Sequence, residues 1–366
     1  MKNLHVIAAA LGYETLLRNN RLRMAGLDFG CAKSVFPALT CVHQAALRTG
    51  KTGIEAGLSC NGVWMEDLRK PLFWEQSSRL VKGGRIWSEK TGLFFLQQSL
   101  GEDVEVIVSP APIHKHSGGM IRSAYVKMPG LSEKTTARLF GKFPLHKYWG
   151  PLSDPKVGRV CIEWFKKAVE IYDVDDAYLY LPTLDYMAQK YGPKSAANLW
   201  ALSEFESQLE ILAQFCEKKG ARLTVGGDYE ITGVDSEPLL PNVLLRREGF
   251  FKVRRVGAMT YPDFYSSTAF CMCDHEVAVV CGEEKEKAKR VLEATGDYEF
   301  EGDIAIARHG SWCAYQWWTN KREAPDYASH VDIHNKPGFD PLELFFFNRG
   351  KVKGTHGRRC DVAVSI

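Results

Sequence analysis

Thr40 stands where an extended, Pro-containing stretch, Val35-Phe36-Pro37, gives way to the helix-forming run Cys41-Val-His-Gln-Ala-Ala-Leu47. A hydroxyl at such a junction sits at the positive end of a helix dipole, among backbone N–H groups that lack intrahelical partners. That place binds anions, and a threonine oxygen there can attack phosphorus. The same spacing fits a plain helix N-cap, the commoner use of threonine at a helix start. Glycines at 50, 53 and 57 follow, then Asn61-Gly62.

Four further polar islands come later. Leu181-Pro-Thr-Leu-Asp-Tyr-Met-Ala-Gln189 sets Asp185 and Gln189 one helical turn apart on a shared face. Val225-Gly-Gly-Asp228-Tyr229 puts a carboxylate just past an apolar run, where open α/β sheets bind ligands. Asp332-Ile-His334-Asn-Lys336-Pro-Gly-Phe-Asp340-Pro341 is a polar loop. Its histidine can exchange protons near neutral pH, and its lysine is a compact cation for an anionic substrate. Gly354-Thr-His356-Gly357 is a second histidine loop. Singly, each island has an ordinary reading as a cap or a hydrogen-bonded loop. So do Cys41 as a buried thiol, the His114/His116 pair as a surface loop, and Trp312, Tyr315, Trp317 and Trp318 as packed core.

Elements able to position these residues alternate between strand-like and helical patterns, as in a sheet covered by helices. Strands are expected at Leu4–Ala10, Val104–Ser109, Ala177–Leu181, Arg222–Val225 and Ala269–Cys273. Helices are expected at Val157–Tyr172, Ser195–Lys219 and Glu283–Leu292, the second with apolar residues near a 3.6 period. Residues 111–145 read as an irregular connection, and so does the tail from Val331. The short N-terminal apolar run lacks the length of a signal peptide and reads as a buried first strand.

The 366 residues are 45% hydrophobic and 25% charged, which suits a folded α/β chain. A net charge of +3 is too mild for a nucleic-acid face. No apolar segment is long enough to span a membrane. Ten scattered cysteines fit reduced, buried thiols better than a disulfide framework, which points to a cytoplasmic protein. The expected partner is a small-molecule substrate; oligomeric state is not legible.

Taken in order, the islands resemble the alkaline phosphatase superfamily and, within it, the type I phosphodiesterase / nucleotide pyrophosphatase family. The likeness runs from residue 4 to about 358. Pro37, Thr40 and Asn61-Gly62 resemble the nucleophile motif. Leu184-Asp185-Tyr186-Met-Ala-Gln189-Lys-Tyr-Gly192-Pro193 is similar to a L-D-Y-x-x-H-x-x-G-P segment, and Asp228-Tyr229-Glu230 to a D-H-G segment. Pro241-Asn242-Val-Leu-Leu245-Arg246-Arg-Glu-Gly249 is similar to P-N-x-x-L-R-x-x-G, and Gly354-Thr-His356-Gly357 to G-x-H-G. The resemblance implies a three-layer α/β sandwich with a mostly parallel central sheet and helices on both faces. It would be one domain over 1–366, with cap insertions near 65–175 and 249–328. It also implies two-metal phosphoester hydrolysis with Thr40 as nucleophile and Asn61 donating to a phosphate oxygen. Asp185 and His356 would hold one metal, Asp228 and Thr40 the other.

Three positions depart from that pattern. Ala9-Ala10 stand where the family has Asp-Gly, Gln189 where it has His, and Tyr229 where it has His. Amides and neutral phenols are poor zinc ligands. The expectation is therefore one divalent ion at most, zinc or manganese, with Gln189 as a third oxygen ligand, or none. The 332–341 loop resembles that of a superfamily subgroup sharing the missing Asp and the Tyr. This implies His334 as a catalytic acid or base, with Gln189, Tyr229, Asp332 and Lys336 contacting substrate. Three functions follow: a Thr40-dependent hydrolase of a small phosphorylated metabolite; a repurposed metal-poor enzyme doing lyase, isomerase or acyl-transfer chemistry; or a ligand-binding pseudoenzyme.

Overall fold

The computed structural model of the protein describes residues 1–115, 120–121, 124–345 and 352–366. His116 lies outside these residues, and only the backbone of His114 is described. A nine-stranded sheet runs through the fold. Its strands are β1 (Asn3–Ala8), β2 (Arg23–Met24), β3 (Leu27–Lys33), β4 (Thr91–Phe94), β5 (Val106–Pro110), β6 (Ala124–Lys127), β7 (Asp176–Leu181), β8 (Arg222–Gly227) and β9 (Asp361–Ser365). The spatial order is β6-β5-β4-β7-β1-β8-β9-β3-β2. The five strands β5-β4-β7-β1-β8 are mutually parallel, and antiparallel strands extend both edges. The parallel strands read as near-continuous apolar runs because both faces are covered, which also explains why the N-terminal run is a strand.

Four helices matter to the site: α1 (Thr40–Thr49), α2 (Val157–Ile171), α3 (Asp185–Tyr191) and α4 (Ala196–Lys219). The longest, α4, starts at an N-cap Ser195 whose hydroxyl accepts the Asn198 N–H at 3.2 Å, and stops at left-handed Gly220. Its buried stripe of Leu202, Phe205, Leu209, Leu212 and Phe215 joins the core under the main sheet. Each such side chain contributes about 1.5–3 kcal/mol on burial.

Two segments differ from their sequence reading. The tail ends in β9, wedged between β8 and β3, because the alternation Asp-Val-Ala-Val-Ser finds distant partners on both sides. Residues 111–145 contain the edge strand β6 and a helix at Glu133–Phe140 capped by Ser132. Of the two segments expected as insertions, 249–328 builds a separate four-stranded antiparallel sheet from Phe270–Asp274, Val277–Cys281, Tyr298–Glu301 and Ile304–Ala307. Segment 65–175, by contrast, supplies β4, β5, β6 and α2 to the main body. A second core cluster joins the small sheet to the buried face of α1 through Cys41, Val42 and Ala45. Trp317, Trp318 and Tyr315 pack edge-to-face in that cluster, as the core reading expects. All ten cysteines are free thiols, and eight are buried.

Candidate active site

Three adjacent parallel strands end in register, with Ala8 opposite Leu181 on one side and Gly227 on the other. Strand β7 leads into Asp185, the first residue of α3; β8 leads directly into Asp228 and Tyr229. Between them β1 leads into Ala9 and Ala10, and Ala10 takes a left-handed φ of 58°. That conformation favours glycine and costs alanine about 1–2 kcal/mol. It aims the Ala10 N–H at Asp228 Oδ1, 3.1 Å away. Gly227 must be glycine here, since a Cβ would lie 2.1 Å from the Leu11 carbonyl oxygen.

Thr40 is the first helical residue of α1, and Leu39 takes the N-cap position. The local N-cap reading is thereby corrected: the Thr40 hydroxyl does not cap the helix and faces the strand ends. Its Oγ1 lies 3.3 Å from the Tyr180 hydroxyl. Tyr180 in turn points at Asp228 Oδ2 at 3.5 Å. Asp185 accepts from Gln189 Nε2 at 2.6 Å.

His356 donates Nδ1–H to the Ala38 carbonyl at 2.9 Å, which leaves Nε2 as an acceptor. Its ring lies flat on Tyr229, centroids 3.7 Å apart with planes within 3°, and its other face meets His275 at 4.0 Å. His275 then stacks on Phe339 at 4.1 Å, which completes a column of four rings. Asn61 Oδ1 accepts the Cys41 N–H at 2.9 Å, while Asn61 N–H and Nδ2 both reach the Asp274 carboxylate.

Above these groups opens a cleft of about 640 Å³, mouth included. Thr40, Tyr180, Asp185, His334 and Glu343 line it, with Trp74, Tyr148, Trp149 and Tyr186 as aromatic walls. Among the described residues no lysine or arginine lines it. Lys336 and Asp332 do not reach the cleft. The Lys336 ammonium is buried against Asp340 Oδ2 at 2.8 Å and the His330 carbonyl. Asp332 closes its own loop by accepting from Asn335 N and Nδ2.

Burial sets the protonation of this site. It pushes the Asp228 carboxyl well up, and the Asp185 carboxyl up, because the charged forms are desolvated. The Tyr180 and Tyr229 phenols rise for the same reason. Glu343 is pushed up by burial, against the pull of Lys336. His356 is held well below its usual range by burial and by the neighbouring His275, so it stays neutral. The Cys41 thiol is likewise raised by burial, which makes it inert despite its place in the first turn of α1.

These donors bear on the metals the resemblance implies. Metal-site carboxylates should face an electron-poor cation; here Asp185 already accepts from the Gln189 amide, and Asp228 from the Ala10 N–H and the Tyr180 hydroxyl. Gln189 presents its amide nitrogen, not its oxygen, to Asp185, and its Oε1 has no hydrogen-bond partner. A shared cation would need both oxygens turned toward it. Among the described residues no group of three or more His, Cys, Asp or Glu side chains could hold a metal ion. The residues do not fit the two-cation site.

The sequence reading missed Tyr180, Asp274, His275 and Glu343. Tyr180 lay inside a predicted strand, where a tyrosine looks like sheet packing. Asp274-His275 follow a predicted strand end, the same signal that picked out Asp228, and could have been found.

A parallel sheet with a threonine at a helix start facing its strand ends is the alkaline-phosphatase-like α/β arrangement. The chain belongs to the type I phosphodiesterase / nucleotide pyrophosphatase family, whose model matches residues 20–340. Among solved structures, phosphonoacetate hydrolase from Sinorhizobium meliloti in complex with phosphonoformate has a TM-score of 0.58 at 13% identity, covering 100% of this chain and 89% of that one. Murine ectonucleotide pyrophosphatase/phosphodiesterase 5 has a TM-score of 0.55 at 13% identity, covering 100% and 88%. An inactive threonine-to-alanine variant of the murine protein, in complex with AMP, aligns with the same score and identity, covering 100% and 87%. No curated protein matches the sequence. Among the described residues no helix is long and apolar enough to cross a membrane.

Proposed function

We propose that this protein is a phosphodiesterase-type hydrolase of a small phosphorylated metabolite, with Thr40 as nucleophile and no resident pair of cations. The observation that carries the reading is the Thr40 hydroxyl at the start of α1, hydrogen-bonded to Tyr180, with Tyr180 directed at Asp228. The family, the structural neighbour bound to phosphonoformate and the inactive threonine variant bound to AMP support it.

In this mechanism the reactive form is the one with Asp228 ionised, a form that burial disfavours: Tyr180 takes the Thr40 proton as its own proton passes to that carboxylate. Burial makes that carboxylate a stronger base than an exposed one. The Thr40 oxygen bonds to phosphorus and the bond to the leaving oxygen breaks; Glu343 or His334, at the cleft wall, supplies the proton that oxygen needs. The dipole of α1 and the Tyr229 hydroxyl balance the charge that builds on the phosphoryl oxygens. Water then attacks the phosphothreonine in line, and the protons return by the same route. Removal of metal lowers the rate such a site can reach, so turnover is expected to be slow.

A second reading rests on a separate observation. The described cleft carries carboxyl, phenol and imidazole groups and no lysine or arginine. That inventory suits proton transfer on a non-phosphate metabolite by the same residues. Assay of bis(p-nitrophenyl) phosphate with protein freed of metal by chelator separates the two. The hydrolase reading requires turnover that Thr40→Ala abolishes. No turnover, or turnover that survives in Thr40→Ala, favours the second.

A further inference from the structure

The backbone on both sides of Thr40 is tied to one turn of the small sheet. On the C-terminal side, the Cys41 N–H donates to Asn61 Oδ1, and Asn61 donates from its backbone to Asp274 Oδ2 at 2.7 Å and from Nδ2 to Oδ1 at 3.3 Å. On the N-terminal side, the Ala38 carbonyl accepts from His356 Nδ1. The same turn grips His356 twice: Glu276 N–H donates to its carbonyl at 2.9 Å, and the His275 ring packs on its imidazole. His275 Nδ1 lies 2.8 Å from Asp274 Oδ1, so Asp274 ends both arms.

The turn itself is built to hold that geometry. Asp274 is 2% exposed at the end of its strand, and His275 adopts a left-handed φ of 56°. Non-glycine residues keep such a conformation only where surroundings over-determine it. Here Cys313 N–H holds the His275 carbonyl at 2.6 Å and Phe339 covers the free ring face.

We infer that Asp274 is a positioning residue for Thr40: one carboxylate, acting through Asn61 and His275, fixes the helix start and His356 around the threonine hydroxyl. Asp274 does not touch substrate. It sets where the Thr40 oxygen stands, and misplacement by about 1 Å is enough to cost on the order of 100-fold in rate. The kinetic half of this inference rests on the hydrolase reading; the structural half does not.

The test is Asp274→Asn in the full chain, with three readouts. Hydrogen exchange follows the Cys41 amide; imidazole ¹⁵N shifts follow the His275 and His356 tautomers; bis(p-nitrophenyl) phosphate gives kcat and KM. Expected are faster exchange at Cys41, altered imidazole shifts, and kcat lower by about 10–100-fold with KM within about twofold. Asp274→Glu, which keeps the charge but moves it, should restore part of the protection and none of the full rate. Unchanged Cys41 exchange and unchanged imidazole shifts in Asp274→Asn overturn the inference. So does a loss of kcat accompanied by equal loss of protection across the whole small sheet, which marks general destabilisation. If the wild-type protein does not turn over the phosphodiester, the hydrolase reading fails alone, and the exchange and shift data still decide the role of Asp274.

Discussion

Gln189 donates its amide N–H to Asp185 at 2.6 Å, one helical turn away on α3. An amide nitrogen cannot ligate a cation, so this contact reverses the part that the resemblance implies for position 189. The Ala10 N–H and the Tyr180 hydroxyl face Asp228, and Tyr229, where an imidazole is expected, stacks its ring on His356. A protein N–H thus faces Asp185, and an N–H and an O–H face Asp228.

Metal content follows from these contacts. Protein purified without chelator is expected to carry well under one equivalent of zinc or manganese per chain by elemental analysis. Gln189→His combined with Tyr229→His restores two imidazoles beside Asp185 and Asp228, and should tighten zinc binding by at least about 10-fold in calorimetry. Two equivalents in the wild type would contradict the site as described.

The hydroxyl linking Thr40 to Asp228 offers a second measurement. Tyr180→Phe keeps the ring and removes only that oxygen. The expected result is kcat reduced by about 10–100-fold with little change in KM, the usual range for loss of one proton-transfer group. Undiminished kcat would exclude Tyr180 as the proton acceptor.

Glu343 predicts a slope of stability with pH. Its carboxyl is pushed up to about 8 from an ordinary value near 4.5, because burial penalises the charged form. The folded state therefore holds a proton that the unfolded state releases between those values. Its stabilising contribution is complete below about pH 4.5 and is lost as pH rises through about 8. His356 acts in the opposite sense: its lowered value means stability present above its ordinary range and lost as pH falls through the folded value. Thermal or urea unfolding should show Glu343→Gln overtaking the wild type as pH rises, by on the order of 1–3 kcal/mol at alkaline pH. Parallel stability curves would show that Glu343 ionises normally.

Lys336 separates a structural from a binding role. Its ammonium and Asp340 are both fully buried, and the Tyr315 hydroxyl also donates to Asp340 at 2.9 Å. Lys336→Met leaves a buried carboxylate unpaired and should cost about 3–5 kcal/mol, while Lys336→Met with Asp340→Leu recovers most of it. A stable Lys336→Met protein with weakened substrate binding would return the lysine to the binding site.

Much of the scaffold is legible in the sequence. Runs such as Leu4-His-Val-Ile-Ala8 and Ala177-Tyr-Leu-Tyr-Leu181 announce strands because their burial on both faces leaves no polar alternation to obscure them. The apolar stripe of α4 and its Ser195 and Gly220 ends are local signals, and local signals survive in one dimension. Strand β9 is not local: five residues at the end of the chain become a strand only between β8 and β3.

The sequence by itself set Thr40, Asp185, Asp228 and His356 in one family order, and showed that Ala9-Ala10, Gln189 and Tyr229 replace residues expected of that family. Tertiary structure decided what the replacements do. Ala10 offers a backbone proton because its φ is positive, Gln189 shows nitrogen rather than oxygen, and Lys336 turns inward to Asp340. Side-chain direction and pairing depend on what lies across space, and residue spacing carries no record of either. Asp274, far from Thr40 in the chain, reaches it only because the small sheet packs against α1 in a shared core.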